Sequence, residues 1–258
     1  MPRLLAIVTG SSRGLGEAIA ARLLAVDTLV LGIARRRSES LEAIATTRSA
    51  PLEQWTADLA EPSAVAPRLE AWFAAHAAQA PARTVLINNA GAVATPGPFE
   101  NVPDSEMLTA LHASLDATIV LTAAFLRATR GFGGDRRVLN ISSGLGRRAM
   151  AGSAVYCAAK AGMDHFSRAV ALEQAALTGG ARIVSLAPGV IDTDMQVQLR
   201  NADPARFRDQ STFASLYREG QLLSPDAAAA RVLAFLDRAD FGEQPVADVR
   251  DGVREVAN

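Results

Sequence analysis

The chain has 258 residues, 49% of them hydrophobic, and a formal net charge of −1. That length suits one large α/β unit or two small ones, and the balanced charge leaves no electrostatic footprint for nucleic acid or an anionic membrane surface. The single cysteine, Cys157, excludes an intrachain disulfide and a cysteine-built metal site; the three histidines, His76, His112 and His165, lack ligand-like spacing, so no metal is expected.

From the N-terminus, the apolar run after Met1-Pro2-Arg3 stops at Thr9-Gly10-Ser11-Ser12-Arg13, too early for a signal peptide. No segment reads as long and apolar enough to span a bilayer, and a cytoplasmic protein is expected. Strands are expected at Leu4–Thr9, Thr28–Ala34, Leu52–Ala57, Arg83–Asn88, Arg137–Ser142, Arg182–Ala187 and Pro245–Val249. These runs are apolar at consecutive positions, the pattern of parallel strands covered on both faces. Helices are expected between them, at Leu15–Val26, Leu41–Thr46, Pro62–Ala78, Asp104–Arg130, Ala154–Leu177 and Pro225–Leu236. The alternation predicts an α/β fold: a Rossmann-type, doubly wound parallel sheet of about seven strands with helices on both faces. No linker or repeat interrupts it, so residues 1–258 read as a single dinucleotide-binding domain. Residues 192–221, polar and irregular between a strand and a helix, are either a disordered loop or a substrate lid.

Directly after the first expected strand comes Thr9-Gly10-Ser11-Ser12-Arg13-Gly14-Leu15-Gly16. Glycines so spaced permit a tight turn, close approach of backbone to a pyrophosphate, and close packing of helix on strand. The helix that follows aims free N–H groups and its positive dipole end at the anion. Gly10, Ser12, Arg13, Gly14, Leu15 and Gly16 are therefore expected to hold a dinucleotide. An acid at the end of the second strand would bind a ribose 2′-hydroxyl, but here the chain reads Ala34-Arg35-Arg36-Arg37. Guanidinium groups grip a 2′-phosphate, so Arg35, with Arg13 nearby, predicts NADP(H).

Tyr156 and Lys160 lie four apart on an expected helix and share a face. The chain has two tyrosines, and Lys160 is its only lysine. Where arginine serves everywhere else, the compact ammonium of a lone lysine points to a specific task. A phenol titrates near pH ~10, and a neighbouring ammonium is expected to lower that value and make Tyr156 an acid/base near neutrality. Ser143 stands at the carboxyl end of the fifth expected strand, where open α/β sheets bind ligands. It is expected to hold a substrate carbonyl together with Tyr156.

Thr9–Gly16, Asn88-Asn89-Ala90-Gly91, Ser143 with Tyr156-Cys157-Ala158-Ala159-Lys160, and Pro188-Gly189-Val190-Ile191-Asp192-Thr193 occur in this order. Together they resemble the motif set of the short-chain dehydrogenase/reductases. The resemblance implies that Tyr156 is the acid/base, that Lys160 also holds the nicotinamide ribose, and that Ser143 orients the carbonyl. It further implies that Asn89, Ala90 and Gly91 border the adenosine, Asp58 and Leu59 touch the adenine, and Pro188, Gly189, Ile191, Thr193 and Met195 embrace the nicotinamide. The stretches Tyr156–Ala161, Ala187–Gln196 and Val246-Ala247-Asp248 are similar to the branch of sepiapterin reductases and bacterial benzil (diketone) reductases, in which Asp248 would anchor the substrate.

Two departures stand out. Ser114 occupies the place of the family's relay asparagine, and the C-terminus lacks the Gly-Gly ending of the fatty-acid-type reductases, which favours a homodimer. The function implied is NADPH-dependent reduction of a small-molecule carbonyl, a vicinal dicarbonyl or a pterin side-chain ketone. The alternatives are a catalytically silent NADP(H) sensor or scaffold, a 3-oxoacyl reductase, and an alcohol dehydrogenase of the same fold.

Overall fold

Runs such as Leu5-Ala6-Ile7-Val8 put apolar side chains on both sides of the backbone, so a strand made from them needs cover on both faces. The computed structural model, which describes residues 3–79 and 81–251, provides that cover. The C-terminal residues from which the missing Gly-Gly ending was read lie outside the described residues. Seven parallel strands form one sheet in the order β3-β2-β1-β4-β5-β6-β7. They are β1 Leu4–Thr9, β2 Thr28–Ala34, β3 Leu52–Thr56, β4 Arg83–Asn88, β5 Asp135–Ile141, β6 Arg182–Ala187 and β7 Val246–Asp248.

Side chains of the central strands alternate between two apolar clusters. Val8, Val30 and Val184 meet α1 (Gly14–Leu23), α2 (Glu39–Arg48) and α9 (Pro225–Leu236) on one face. Ile7, Leu31 and Leu86 meet α3 (Pro62–His76), α5 (Ala117–Ala128) and α6 (Ala154–Ala175) on the other. The α/β doubly wound expectation therefore holds. The strand order reverses between β1 and β4, and the carboxyl ends of these neighbours border the crevice where such sheets bind ligands.

The stretch expected as one helix from Asp104 to Arg130 is interrupted. α4 (Asp104–Leu111) passes through a wider π turn at His112–Asp116 into α5. By length and a mean hydropathy of 1.4, Asp104–Ala128 is apolar enough to cross a membrane, which corrects the sequence reading. Here Ala117, Leu121, Ala124 and Phe125 instead pack on the sheet, with Phe125 against Phe73 of α3 at 5.5 Å between ring centroids.

Residues 192–221 are ordered and carry two helices, α7 (Asp194–Arg200) and α8 (Gln210–Arg218). A small apolar cluster of its own holds this segment: Met150, Leu199 and Phe207, with Leu145, Cys157, Met195 and Phe213 against them. Phe207 is 1% exposed and stacks on Phe213 at 5.8 Å. Burial of one such ring contributes about 1.5–3 kcal/mol. The polar composition hid this anchor because only a few residues in the segment carry it.

Candidate active site

The glycine loop needs glycine for steric reasons. A Cβ on Gly16 would stand 2.2 Å from the Gly10 carbonyl oxygen, and one on Gly10, whose φ is +67°, would stand 3.0 Å from Ala90 Cα. Thr9 fixes the other side of the crevice. Its Oγ1 accepts the backbone N–H groups of Asn89 and Ala90 at 2.9 and 3.0 Å, while the Asn89 amide donates to the Thr9 carbonyl at 3.0 Å. Among the described residues no side chain caps the start of α1, so its first N–H groups are open to an anion. A cradle that a single Cβ would fill, at an uncapped helix start beside the switch point, fits a dinucleotide pyrophosphate.

Around this cradle, Leu59 is buried, Asp58 is exposed and accepts the Ala60 N–H at 2.9 Å, and Pro188 is buried at the end of β6. Gly189 has a φ of +88°. Ile191 bridges to Leu223, and Thr193 leads into α7 beside Met195. Thr193 Cγ2 also lies 3.5 Å from where a Gly14 Cβ would be, so the segment that starts at residue 192 rests on the glycine loop.

The arginines divide differently from the sequence expectation. Arg35, Arg36 and Arg37 are all exposed past the end of β2, and Arg37 pairs with Glu42 at 2.7 Å. Arg13 does not stand free near them: it pairs with Asp194 at the start of α7. Its guanidinium is attracted by the nearest carboxylate across the crevice.

Tyr156, Lys160 and Ser143 come together. Ser143 follows β5 and caps the short helical turn Gly144–Gly146, accepting the Leu145 N–H at 3.2 Å. Tyr156 and Lys160 lie one turn apart on α6, with the Lys160 Nζ 5.7 Å from the Tyr156 ring centroid. That nitrogen donates to the Ile141 carbonyl at 2.7 Å and lies 4.0 Å from Met163 Sδ.

The expected lowering of the Tyr156 pKa is not what the geometry gives. Burial raises it above 10, and the nearby Ser143 hydroxyl opposes this only in part. The Lys160 ammonium is engaged by the Ile141 carbonyl and does not offset that burial. Lys160, 3% exposed, is itself pushed down to about 8 by burial, against an upward pull from Asp164.

Ser114 sits in the π turn with no exposure and faces the same corner. A Cβ on Gly91 would lie 3.5 Å from Ser114 Oγ and 3.8 Å from Lys160 Nζ. The Ser114 hydroxyl accepts the Ala92 N–H at 3.1 Å and donates to the Ala92 carbonyl at 3.4 Å.

Asp248, expected to anchor the substrate, has its carboxylate engaged within the chain. Arg250 takes both oxygens at 2.7 Å, and the residue is 7% exposed. The cause is local: a guanidinium two residues along satisfies a carboxylate that burial would otherwise penalise.

Beside Tyr156 opens a small cleft, lined by the apolar Val93, Phe99, Val102, Val155 and Leu199 and by the polar Thr95 and Ser153. Its lining is more apolar than polar, with Tyr156 on its wall. Sequence reasoning missed Asp164, a buried acid one turn past Lys160; its i,i+4 spacing from the only lysine was the available signal.

A parallel sheet with a glycine cradle at its switch point and a Ser-Tyr-Lys cluster at the strand ends is the architecture of a nicotinamide-dependent oxidoreductase. The chain belongs to the short chain dehydrogenase family, which it matches over residues 4–204. Among its relatives is a benzil reductase ((S)-benzoin forming) of Bacillus cereus, 35% identical over 240 residues, covering 93% of this chain and 96% of that protein. A sepiapterin reductase of Rattus norvegicus is 32% identical over 247 residues, covering 91% and 92%. A metagenomic short-chain oxidoreductase solved in complex with NADP superposes with a TM-score of 0.70 at 26% identity, covering 96% of this chain and 95% of that one.

Proposed function

We propose that this protein is an NADPH-dependent carbonyl reductase acting on compact vicinal dicarbonyls, with Tyr156 as the proton donor. The observation that carries the reading is Tyr156, its hydroxyl beside Ser143 and its pKa raised by burial, on the wall of a small cleft with several apolar residues. When bound, the nicotinamide cofactor supplies the hydride to the carbonyl carbon. Ser143 donates a hydrogen bond to the carbonyl oxygen, and Tyr156 O–H passes its proton to that oxygen as the alkoxide charge develops. The Lys160 ammonium stabilises the phenolate left behind. The buried hydroxyl of Ser114 helps to fix the corner that the family's asparagine usually holds.

The apolar residues of the cleft favour uncharged substrates such as benzil and diacetyl, and the relative named for benzil reduction supports a vicinal diketone. Preference for NADPH rests on Arg35 and Arg36, with no carboxylate between Ala34 and Arg37. The NADP-bound relative is consistent with it. Residues 192–221 act as the lid of this site, and residues 1–258 as one catalytic unit. We further assign a cytoplasmic homodimer: α4, α5 and α6 expose Leu108, Ile119 and Leu172, apolar positions suited to a second copy. The test is NADPH oxidation with benzil and diacetyl. Turnover with both, lost in Tyr156→Phe, is expected; no turnover of any vicinal dicarbonyl would overturn the substrate reading.

A further inference from the structure

Asp164 lies one helical turn beyond Lys160 on α6 and is 1% exposed. Its Oδ1 accepts hydrogen bonds from Ser142 Oγ at 2.6 Å and Ser185 Oγ at 2.7 Å, one from the end of β5 and one from β6. Among the described residues its Oδ2 has no hydrogen-bond partner. That oxygen faces the turn after Ser143: a Cβ on Gly146 would stand 2.8 Å from it and 2.9 Å from the Lys160 carbonyl oxygen. Arg147 Nε is the nearest cation outside the helix, at 3.9 Å, too far for a hydrogen bond, and the same guanidinium lies 4.0 Å from Asp248.

A buried carboxylate with one unfilled oxygen is costly unless a charge offsets it. The only other buried ion on this stretch of helix is Lys160, which faces the Tyr156 ring, the Ile141 carbonyl, Met163 sulfur and the Gly91–Ser114 corner, none of them anionic.

We propose that Asp164 is a positioning residue: its buried carboxylate, braced by Ser142 and Ser185, is the counter-charge that keeps Lys160 protonated behind Tyr156. One further feature agrees: burial pushes Lys160 down to about 8, and the Asp164 carboxylate pulls against that shift. The inference rests on the assignment of Lys160 to the proton-handling set, but its test does not need turnover.

Because Lys160 is the only lysine, selective 13Cε-lysine labelling of the full chain gives one reporter signal. A pH titration of wild type should show a midpoint near 8. Asp164→Asn should lower it by on the order of one pH unit, about tenfold in proton affinity, as expected for loss of a close opposite charge. Ser185→Ala, which removes a brace and keeps the charge, should leave the midpoint near that of wild type. An unmoved midpoint in Asp164→Asn, or an equal shift in Ser185→Ala, would overturn the proposal. Should Asp164→Asn not fold, the smaller Asp164→Ser is read by the same criterion. If the chain reduces ketones, the alkaline limb of kcat/KM moves with the midpoint; if it reduces none, the titration still decides this point separately.

Discussion

Around the glycine loop the binding surface is mostly backbone: free N–H groups at the start of α1, a turn with no space for a Cβ at Gly16, and Thr9 clamping Asn89 and Ala90. Around α6 it is side chain: Tyr156, Lys160 and Asp164, with Ser143 and Ser114 brought in from other elements. The first region is rigid, intolerant of added atoms and indifferent to pH. The second depends on buried charge, so conservative changes that keep shape but alter charge should be felt there. Under the proposed function, the chain separates holding a cofactor from handling a proton.

The sharpest separation comes from Tyr156→Phe. Loss of the proton donor should cut kcat by about 10²–10⁴-fold while the NADPH dissociation constant, measured by fluorescence titration, stays within about twofold. Gly16→Ala should do the reverse in kind. Its Cβ would collide with the Gly10 carbonyl, and overpacking of this sort costs about 1–3 kcal/mol, read as weaker NADPH binding and a lower Tm. Arg35→Asp should shift the kcat/KM ratio of NADPH to NADH by at least about tenfold towards NADH, since charge-assisted hydrogen bonds contribute about 1.5–3 kcal/mol.

Smaller still is the pH effect. With Tyr156 raised and Lys160 near 8, the active form carries both protons, so kcat/KM for reduction should hold below pH 8 and fall as pH rises through it. A rate that climbs across that range would contradict the sign. Asp194→Asn should change NADPH affinity least, because an exposed ion pair such as Arg13–Asp194 contributes about 0–1 kcal/mol.

The two regions also differed in how much the sequence disclosed. The strands and the glycine loop are local patterns, apolar runs and steric vacancies, and they were legible down to their ends: β1, β2, β4 and β6 occupy the expected residues. That Tyr156, Lys160 and Ser143 would meet was legible from the i,i+4 spacing on one helix and the place of Ser143 at a strand end. What sequence could not carry were pairings between distant segments. Arg13 meeting Asp194, Arg250 closing Asp248, and Ser142 and Ser185 converging on Asp164 all depend on which loops the fold brings together. The π turn at Ser114 and the Phe207 anchor of the 192–221 segment are likewise products of packing, which overrides local propensity.

The central claim is that Tyr156, beside a small cleft and fed by NADPH, reduces one carbonyl of a vicinal dicarbonyl. The most direct measurement is NADPH oxidation by the purified protein with benzil, with the product resolved by chiral chromatography, for wild type and Tyr156→Phe. The account predicts NADPH consumption matched one-to-one by a single enantiomer of benzoin in wild type, and neither in the variant. Tight NADPH binding with no oxidation by benzil, diacetyl or sepiapterin, or equal turnover by both proteins, would contradict it.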